Sequence, residues 1–454
     1  MFRKTLFIAL VLGLVLGASV AVQAQGDCPD GVVTVRLDDW SSGDRVEYMN
    51  QVLADFEEEF PCIDAVAEPN IGSEQEQNTR RLTMLASGTA PDLLATGESW
   101  IPMYVEAGGL MDLTPFVEGE SGFDPAEVFY EGVYNQGFYQ GTPYAIAKDY
   151  STSAFYVNTA LFEAAGIPLP EEGWTWDDAL DIAFELTLDA NGNNANSPDF
   201  DPDNIVQWGI DIIHDGWWRG FQSYLYSWGA HTISDDGTTT TGYLNSETAV
   251  EAWEWYRDLV FEHHVAPSAS VIGAIEGDRP QMFRDGRLAI GATFHGPWWQ
   301  DVFNETPNLE WAVVPLPHGP AGHASAVMWM GWGINPATEH PEEAWELLKW
   351  LTTEPGQRVF ALKALSADRA VSEELQRVED PYWGVFIAES EFLAELDEQK
   401  SPYYGPCVFL PADDLLTRVM SDGGDAVDIQ AELDALAAEA DACLAEAAET
   451  GSAS

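Results

Sequence analysis

GTPYAIAKDYSTSAFYVNTALFEAAGIPLPEEGWTWDDALDIAFELT, residues 141–187, decides how the rest of the chain is organised. It opens with a strand-like run that contains a charged pair, Lys148-Asp149, and continues into Phe155-Tyr156-Val157-Asn158. A short helix is expected over 159–165, closed by Gly166 and a proline-containing loop, which are helix stop signals. Thr175 then precedes Trp176-Asp177-Asp178 and an apolar-periodic run. That pattern predicts an N-capped helix with acids in its first turn, where the helix dipole favours them. The Lys-Asp pair has two readings. It marks an exposed sheet edge, or a strand that crosses between two lobes with Asp149 facing the gap.

Upstream, residues 32–37 are a continuous strand ending in Asp38-Asp39-Trp40-Ser41. A helix over 45–60 follows, with Val46, Met49, Leu53 and Phe56 on one stripe. A strand over 62–67, a helix over 75–86 and a strand over 93–95 come next, the last opening onto Gly97-Glu98-Ser99-Trp100. Strand alternating with helix predicts a parallel α/β sheet. Ligands of such sheets sit beyond the carboxyl ends of the strands. Asp39, Trp40, Glu98 and Trp100 all fall there.

Downstream, Trp217-Trp218 precede a helix over 221–228, and a helix over 248–263 turns Val250, Trp253, Tyr256 and Leu259 inward. The 18 tryptophans divide by position. Trp176, Trp253, Trp255, Trp345 and Trp350 stand in helices and are expected to pack. Trp40, Trp100, Trp217, Trp218, Trp298, Trp299, Trp329 and Trp332 stand in loops or at strand ends, where a ring can line a ligand cleft.

The ordered set Pro143-Tyr144, Asp149, Tyr156-Val157-Asn158, Leu161-Phe162, Ala165-Gly166, Pro168 and Thr175-Trp176-Asp177-Asp178 resembles the first hinge segment of the family 1 extracellular solute-binding proteins of carbohydrate ABC importers. This is the class that includes maltose-binding protein. Further ordered pieces are similar to the same family: Ala90-Pro91-Asp92, Gln207-Trp208-Gly209, Gly296-Pro297-Trp298, Gly331-Trp332-Gly333 and the apolar helix over 342–351. The usual lysine of one element is replaced by Arg287.

The resemblance implies an α/β, two-lobe periplasmic-binding-protein fold (type II) with the ligand between lobes joined by crossover strands. It places lobe 1 at 25–147 and 318–366, and lobe 2 at 148–317 and 367–454. It implies a monomeric binder, not an enzyme and without a cofactor, that delivers a sugar or oligosaccharide to a permease. In this reading Asp149 accepts sugar hydroxyls, helped by Asp39 and Glu98. Trp298 supplies a stacking face, Trp332 lies at the cleft floor, and Arg369 donates to the ligand or pairs with an acid. Trp298→Ala is expected to weaken every ligand that fills its subsite.

Composition sets limits on this. The chain holds 76 acidic and 19 basic residues, a net charge of −57. Such a surface repels nucleic acid and anionic membranes. Arg3-Lys4, an apolar run over 6–16 and Val22-Gln23-Ala24 predict a signal peptide over 1–24 and export to a periplasmic or extracytoplasmic space. Cys28 stands too far behind that cleavage site for a lipoprotein. Four cysteines in an exported chain allow two disulfides. If the strands at 32–37 and 62–67 are parallel neighbours, Cys28 meets Cys62, and Cys407 with Cys443 pins the last helix.

Asp189, Asn191 and Asn193 have the alternate spacing of a calcium loop, but no closing glutamate follows, and an Asx-rich turn is the plainer reading. Two rival functions share this composition. Acids among aromatics also describe a binder of a cationic solute such as a quaternary amine. Paired carboxylates describe a glycosidase, though no Walker A loop, nucleophile elbow or zinc spacing is present.

Overall fold

The computed structural model describes residues 28–451 except 30, 42, 44, 120–122, 212–216, 275–277, 295–296 and 363. At 74, 217–219, 278, 292–294 and 297–298 it describes the backbone alone. The expected signal peptide lies outside these residues. The first unit is β1 (Val33–Asp39), α1 (Arg45–Glu59), β2 (Ile63–Pro69), α2 (Glu74–Ser87) and β3 (Leu93–Gly97). β1 pairs in parallel with β2 from Val33↔Ile63 to Asp39↔Pro69, and with β3 at Leu37↔Leu93.

α1 buries Met49, Val52, Leu53 and Phe56. Val46, expected on that stripe, is 39% exposed, because the sheet-facing arc begins one turn later. α2 starts with a Ser73/Glu76 capping box and ends at Gly88 in the left-handed region, φ 67°. Those two devices satisfy orphan groups at both helix ends.

Parallel pairing brings the starts of β1 and β2 together, and Cys28 is joined to Cys62 there. The second disulfide, Cys407–Cys443, ties a π-helical turn, Gly405–Phe409, to the long helix Ile429–Thr450. Both pairings are those expected, the first from strand adjacency and the second as the pair that remains. The separation of 34 residues in the first loop corresponds to about 3–4 kcal/mol in the chain-entropy account. A Cys28→Ser/Cys62→Ser variant is therefore expected to melt several degrees lower, which a thermal scan at neutral pH checks.

The remaining strands are β4 (Phe138–Tyr139), β5 (Thr142–Pro143), β6 (Ile146–Asn158), β7 (Leu188–Asp189), β8 (Ile205–Asp211), β9 (Leu288–Phe294), β10 (Trp311–Val314), β11 (Val327–Ile334) and β12 (Leu365–Ser366). Among the described residues the large sheet runs β2-β1-β3-β11-β6-β9-β8-β7, with β10 and β12 also on β6; β4 and β5 form a hairpin apart.

The 13 residues of β6 divide between two neighbourhoods. Its first half pairs with β11, from Ile146↔Trp332 to Thr152↔Val327. Its second half pairs with β9 on one side, Ser153↔Phe294 to Val157↔Ile290, and β10 on the other. Lys148-Asp149 therefore sits in a central strand between β11 and β12, and the edge reading does not hold.

Two main core clusters form, and the first also runs along β6 to Tyr156, Phe283, Leu288 and Phe303. One packs Val35, Leu37, Leu93, Leu94, Trp332, Trp345 and Leu348. The other packs Phe155, Val157, Trp176, Phe221, Trp253, Tyr256 and Leu433. Tyr382, Phe386 and Ile387, beyond β12, join the first. The helix after the hinge, Trp176–Leu186, has the expected Thr175 cap, closed as a capping box by Asp178. All five helical tryptophans named above pack against these cores.

Candidate functional site

The carboxyl ends of β1 and β3 and the first half of β6 converge. Asp38 forms a buried ion pair with Arg81 of α2, whose side chain is fully buried. Burial pushes the Asp38 carboxyl up from its usual range, and the Arg81 charge and hydrogen bond pull against it. The Arg81 guanidinium also lies 5.2 Å from the Trp100 ring centroid. Asp39 turns back on its own backbone, accepting the Ser41 N–H at 3.0 Å. Glu98 accepts the Trp329 N–H at 2.9 Å, tying the turn after β3 to β11. Asp38, Arg81 and Glu98 thus hold the site's frame, which leaves the surface beyond them to Trp40 and β6.

Trp332 is fully buried and donates its indole N–H to the Asp38 carbonyl at 2.9 Å. It lies behind Trp40, with ring centroids 5.1 Å apart. Sequence reasoning offered Trp332 as a cleft-floor face; in this structure it backs the half-buried Trp40 instead. Trp100 is also buried.

Pairing across β6 and β11 steps from Asp149↔Met330 to Ala147↔Gly331, so Lys148 is an extra residue in a β-bulge. A bulge bends the strand and re-aims side chains that would otherwise alternate between faces. As a result Lys148 and Asp149 both line one open pocket, with Ser41, Arg45 and Tyr48 from the end of β1 and α1, and Phe360. Lys148 is nearly buried and its ammonium lies 3.2 Å from the Asp149 carboxylate, which is 21% exposed. Gly331 is required opposite the bulge: a Cβ there would sit 2.1 Å from the Ile146 carbonyl oxygen.

The bulged residue's carbonyl accepts from the fully buried Gln357 side chain, which in turn accepts from the Ser366 hydroxyl at 2.8 Å and the Ala367 N–H at 3.1 Å. Gln357 was not visible as a site residue. The only sequence signals were a lysine in a central strand and a glycine in the strand beside it.

The other candidates are dispersed. Arg369 donates to the carbonyls of Ala126 and Glu127, at 3.3 and 2.7 Å, at the end of the helix Pro125–Val128. Its guanidinium serves that helix terminus, not an acid. Trp217 and Trp298 begin or nearly begin the helices Trp217–Trp228 and Pro297–Asn304. Their side chains and that of Trp218 lie outside the described residues. The strand that precedes the second helix is held on β6, where Phe294 pairs with Ser153.

The Asp189 loop is organised around a single carboxylate. Asp189 accepts N–H groups of Asn191 and Asn193 at 2.8 and 2.9 Å on one oxygen. Its other oxygen accepts the Asn193 side chain and the Asp201 N–H, each at 3.0 Å. Desolvation raises this carboxyl, but those donors outweigh it and hold its pKa at about 2. This is an Asx-turn arrangement. Among the described residues no group of three or more acidic, histidine or cysteine side chains is placed to hold a metal ion.

Comparison with known proteins agrees with this architecture. A binding protein of Brucella abortus is 26% identical over 348 residues, 75% of this chain and 76% of its own. The sugar-binding protein MalE from Xanthomonas citri superposes with a TM-score of 0.76 at 19% identity, covering 92% of this chain and 98% of that one. The ABC substrate-binding protein Lmo0181 from Listeria monocytogenes, solved with cycloalternan, gives 0.70 at 20% identity over 91% and 99%. The fold is that of the two-lobe type II periplasmic binding proteins. Both fold and family are those of substrate-binding proteins rather than enzymes. Residues 40–358 match the family model throughout, and the chain is a member of the bacterial extracellular solute-binding protein family.

Proposed function

We infer that this chain is the exported substrate-binding component of an ABC importer. It takes a sugar or oligosaccharide between two lobes and hands it to a membrane permease. The lobes are residues 25–147 with 318–366, and 148–317 with 367–454. The observation that supports this most is β6, one long strand whose two halves pair with different neighbours, which carries Asp149 into an open pocket beside Trp40. A carboxylate accepts sugar hydroxyls well where water is excluded, and a flat ring offers a stacking face. The Xanthomonas neighbour is named a sugar-binding protein and the Listeria neighbour was solved with cycloalternan, so proteins of the same fold take this chemistry.

Function follows from closure. A ligand that touches both lobes stabilises the closed state by its differential affinity, and that state docks on the permease. Asp149 serves as acceptor, Trp40 and Trp298 as stacking faces, and Trp217 and Trp218 as second-lobe contacts. The experiment is a thermal-shift screen of mono- and oligosaccharides. Ligand at about 100 times its Kd adds about 2.7 kcal/mol to the native state, so at least one sugar should raise the melting point by several degrees. A flat response to every sugar would remove the reading.

A further inference from the structure

The side chain that enters the aromatic cluster beside this pocket is itself a cation. Lys148 Nζ lies 4.7 Å from the ring centroid of Trp40, 4.8 Å from that of Phe360 and 5.9 Å from that of Trp332. The Asp149 carboxylate is 3.2 Å away, and the lysine side chain is 5% exposed. Aromatic rings and a carboxylate around one positive centre are how proteins hold organic cations, because ring quadrupole and counter-charge act together. Here the cation belongs to the chain.

We propose that Lys148 is a specificity-determining residue, a built-in occupant that fills the aromatic cage and denies it to cationic solutes. The pocket is thereby left to uncharged, hydroxyl-rich ligands. This rests on the reading above that the pocket belongs to the solute site. Three observations carry it. The bulge aims Lys148 into the pocket, and Gln357 pins its carbonyl, so the occupant is fixed in place. Arg45 lines the same pocket and adds a second positive charge against a free cation. The chain's 76 acids against 19 bases give it a net charge that attracts cations. A sugar binder with such a field gains selectivity from an internal cation at the place where a foreign one would lodge.

The test is a gain of binding. Lys148→Ala removes a propylammonium-sized group and leaves a cavity facing the same rings and Asp149. Titration calorimetry and melting curves with n-propylammonium, 1-propanol and tetramethylammonium would be run on wild type and variant, beside the best sugar. The variant is expected to bind n-propylammonium about tenfold or more tightly than 1-propanol and to recover part of its melting point with the amine. Adding Trp40→Ala should abolish that preference, and wild type should bind neither amine. Lys148→Thr, suited to a strand by its β-branch, carries the same test if the alanine variant does not fold.

Equal binding of amine and alcohol by the variant would overturn the proposal, because a merely structural lysine leaves only an apolar hole. Wild-type binding of tetramethylammonium that the sugar displaces would also overturn it. Sugar binding by wild type without an amine preference in the variant rejects the cage alone. Amine preference in the variant without sugar binding by wild type keeps the cage and rejects the sugar.

Discussion

Asp38→Ala is expected to destabilise the protein by about 3–5 kcal/mol, the cost of leaving one member of a buried ion pair alone. Arg81 is fully buried and Asp38 is 2% exposed, so water cannot replace the lost carboxylate. Asn78 and Gln77 accept from the guanidinium as well, at 3.3 Å each. They are neutral and do not compensate its charge. The backbone carbonyl of residue 38, which anchors Trp332 behind Trp40, remains in the variant, so the loss falls on the ion pair and on stability. Urea unfolding of the ligand-free variant measures the effect. A change below about 1 kcal/mol, the size expected of an exposed pair, would contradict the burial that defines this frame.

Asp149→Asn is expected to weaken sugar binding by roughly tenfold or more, from about 1–3 kcal/mol for an unpaired group in a closed site. The substitution keeps shape but turns an acceptor into a mixed donor and acceptor. It should therefore reorder the affinities of epimeric sugars rather than lower all of them equally. Loss of the Lys148 counter-charge will also lower the ligand-free melting point. Only a ligand contact changes the ranking, so calorimetry with two epimers separates the roles. An unchanged ranking with uniformly weaker binding would make Asp149 a support for Lys148 and nothing more.

Much of the frame was legible because it rests on short-range signals. The capped helix at Thr175, the glycine stop at Gly166 and the parallel order of the first three strands follow from local chemistry, and the disulfides follow from that order. The course of β6 was legible only in part, since the Lys148-Asp149 pair fitted an exposed edge as well as a crossover strand, and its pairing with β11 and β12 decides against the edge. What the sequence hid depends on pairs far apart in the chain. The bulge at Lys148 exists only in register with Met330 and Gly331, and the role of Gln357 only because the chain returns 209 residues later to the Lys148 carbonyl.

Arg81 and Asp38, 43 residues apart, gave no local hint of pairing. Trp332, placed at the cleft floor by resemblance, is buried behind Trp40, and the missing side chains of the glycines on either side of it let neighbouring backbone approach. A Cβ on Gly333 would stand 2.4 Å from the Tyr144 carbonyl oxygen.

The central claim, that this chain binds a sugar between its lobes, is tested most directly by titration calorimetry of the mature wild-type protein with the best oligosaccharide from the screen, followed by chromatography of the recovered ligand. The account predicts saturable binding of one ligand per chain with the sugar returned intact. Cleaved sugar, or no heat with any sugar beside clear binding of a quaternary amine, would contradict it.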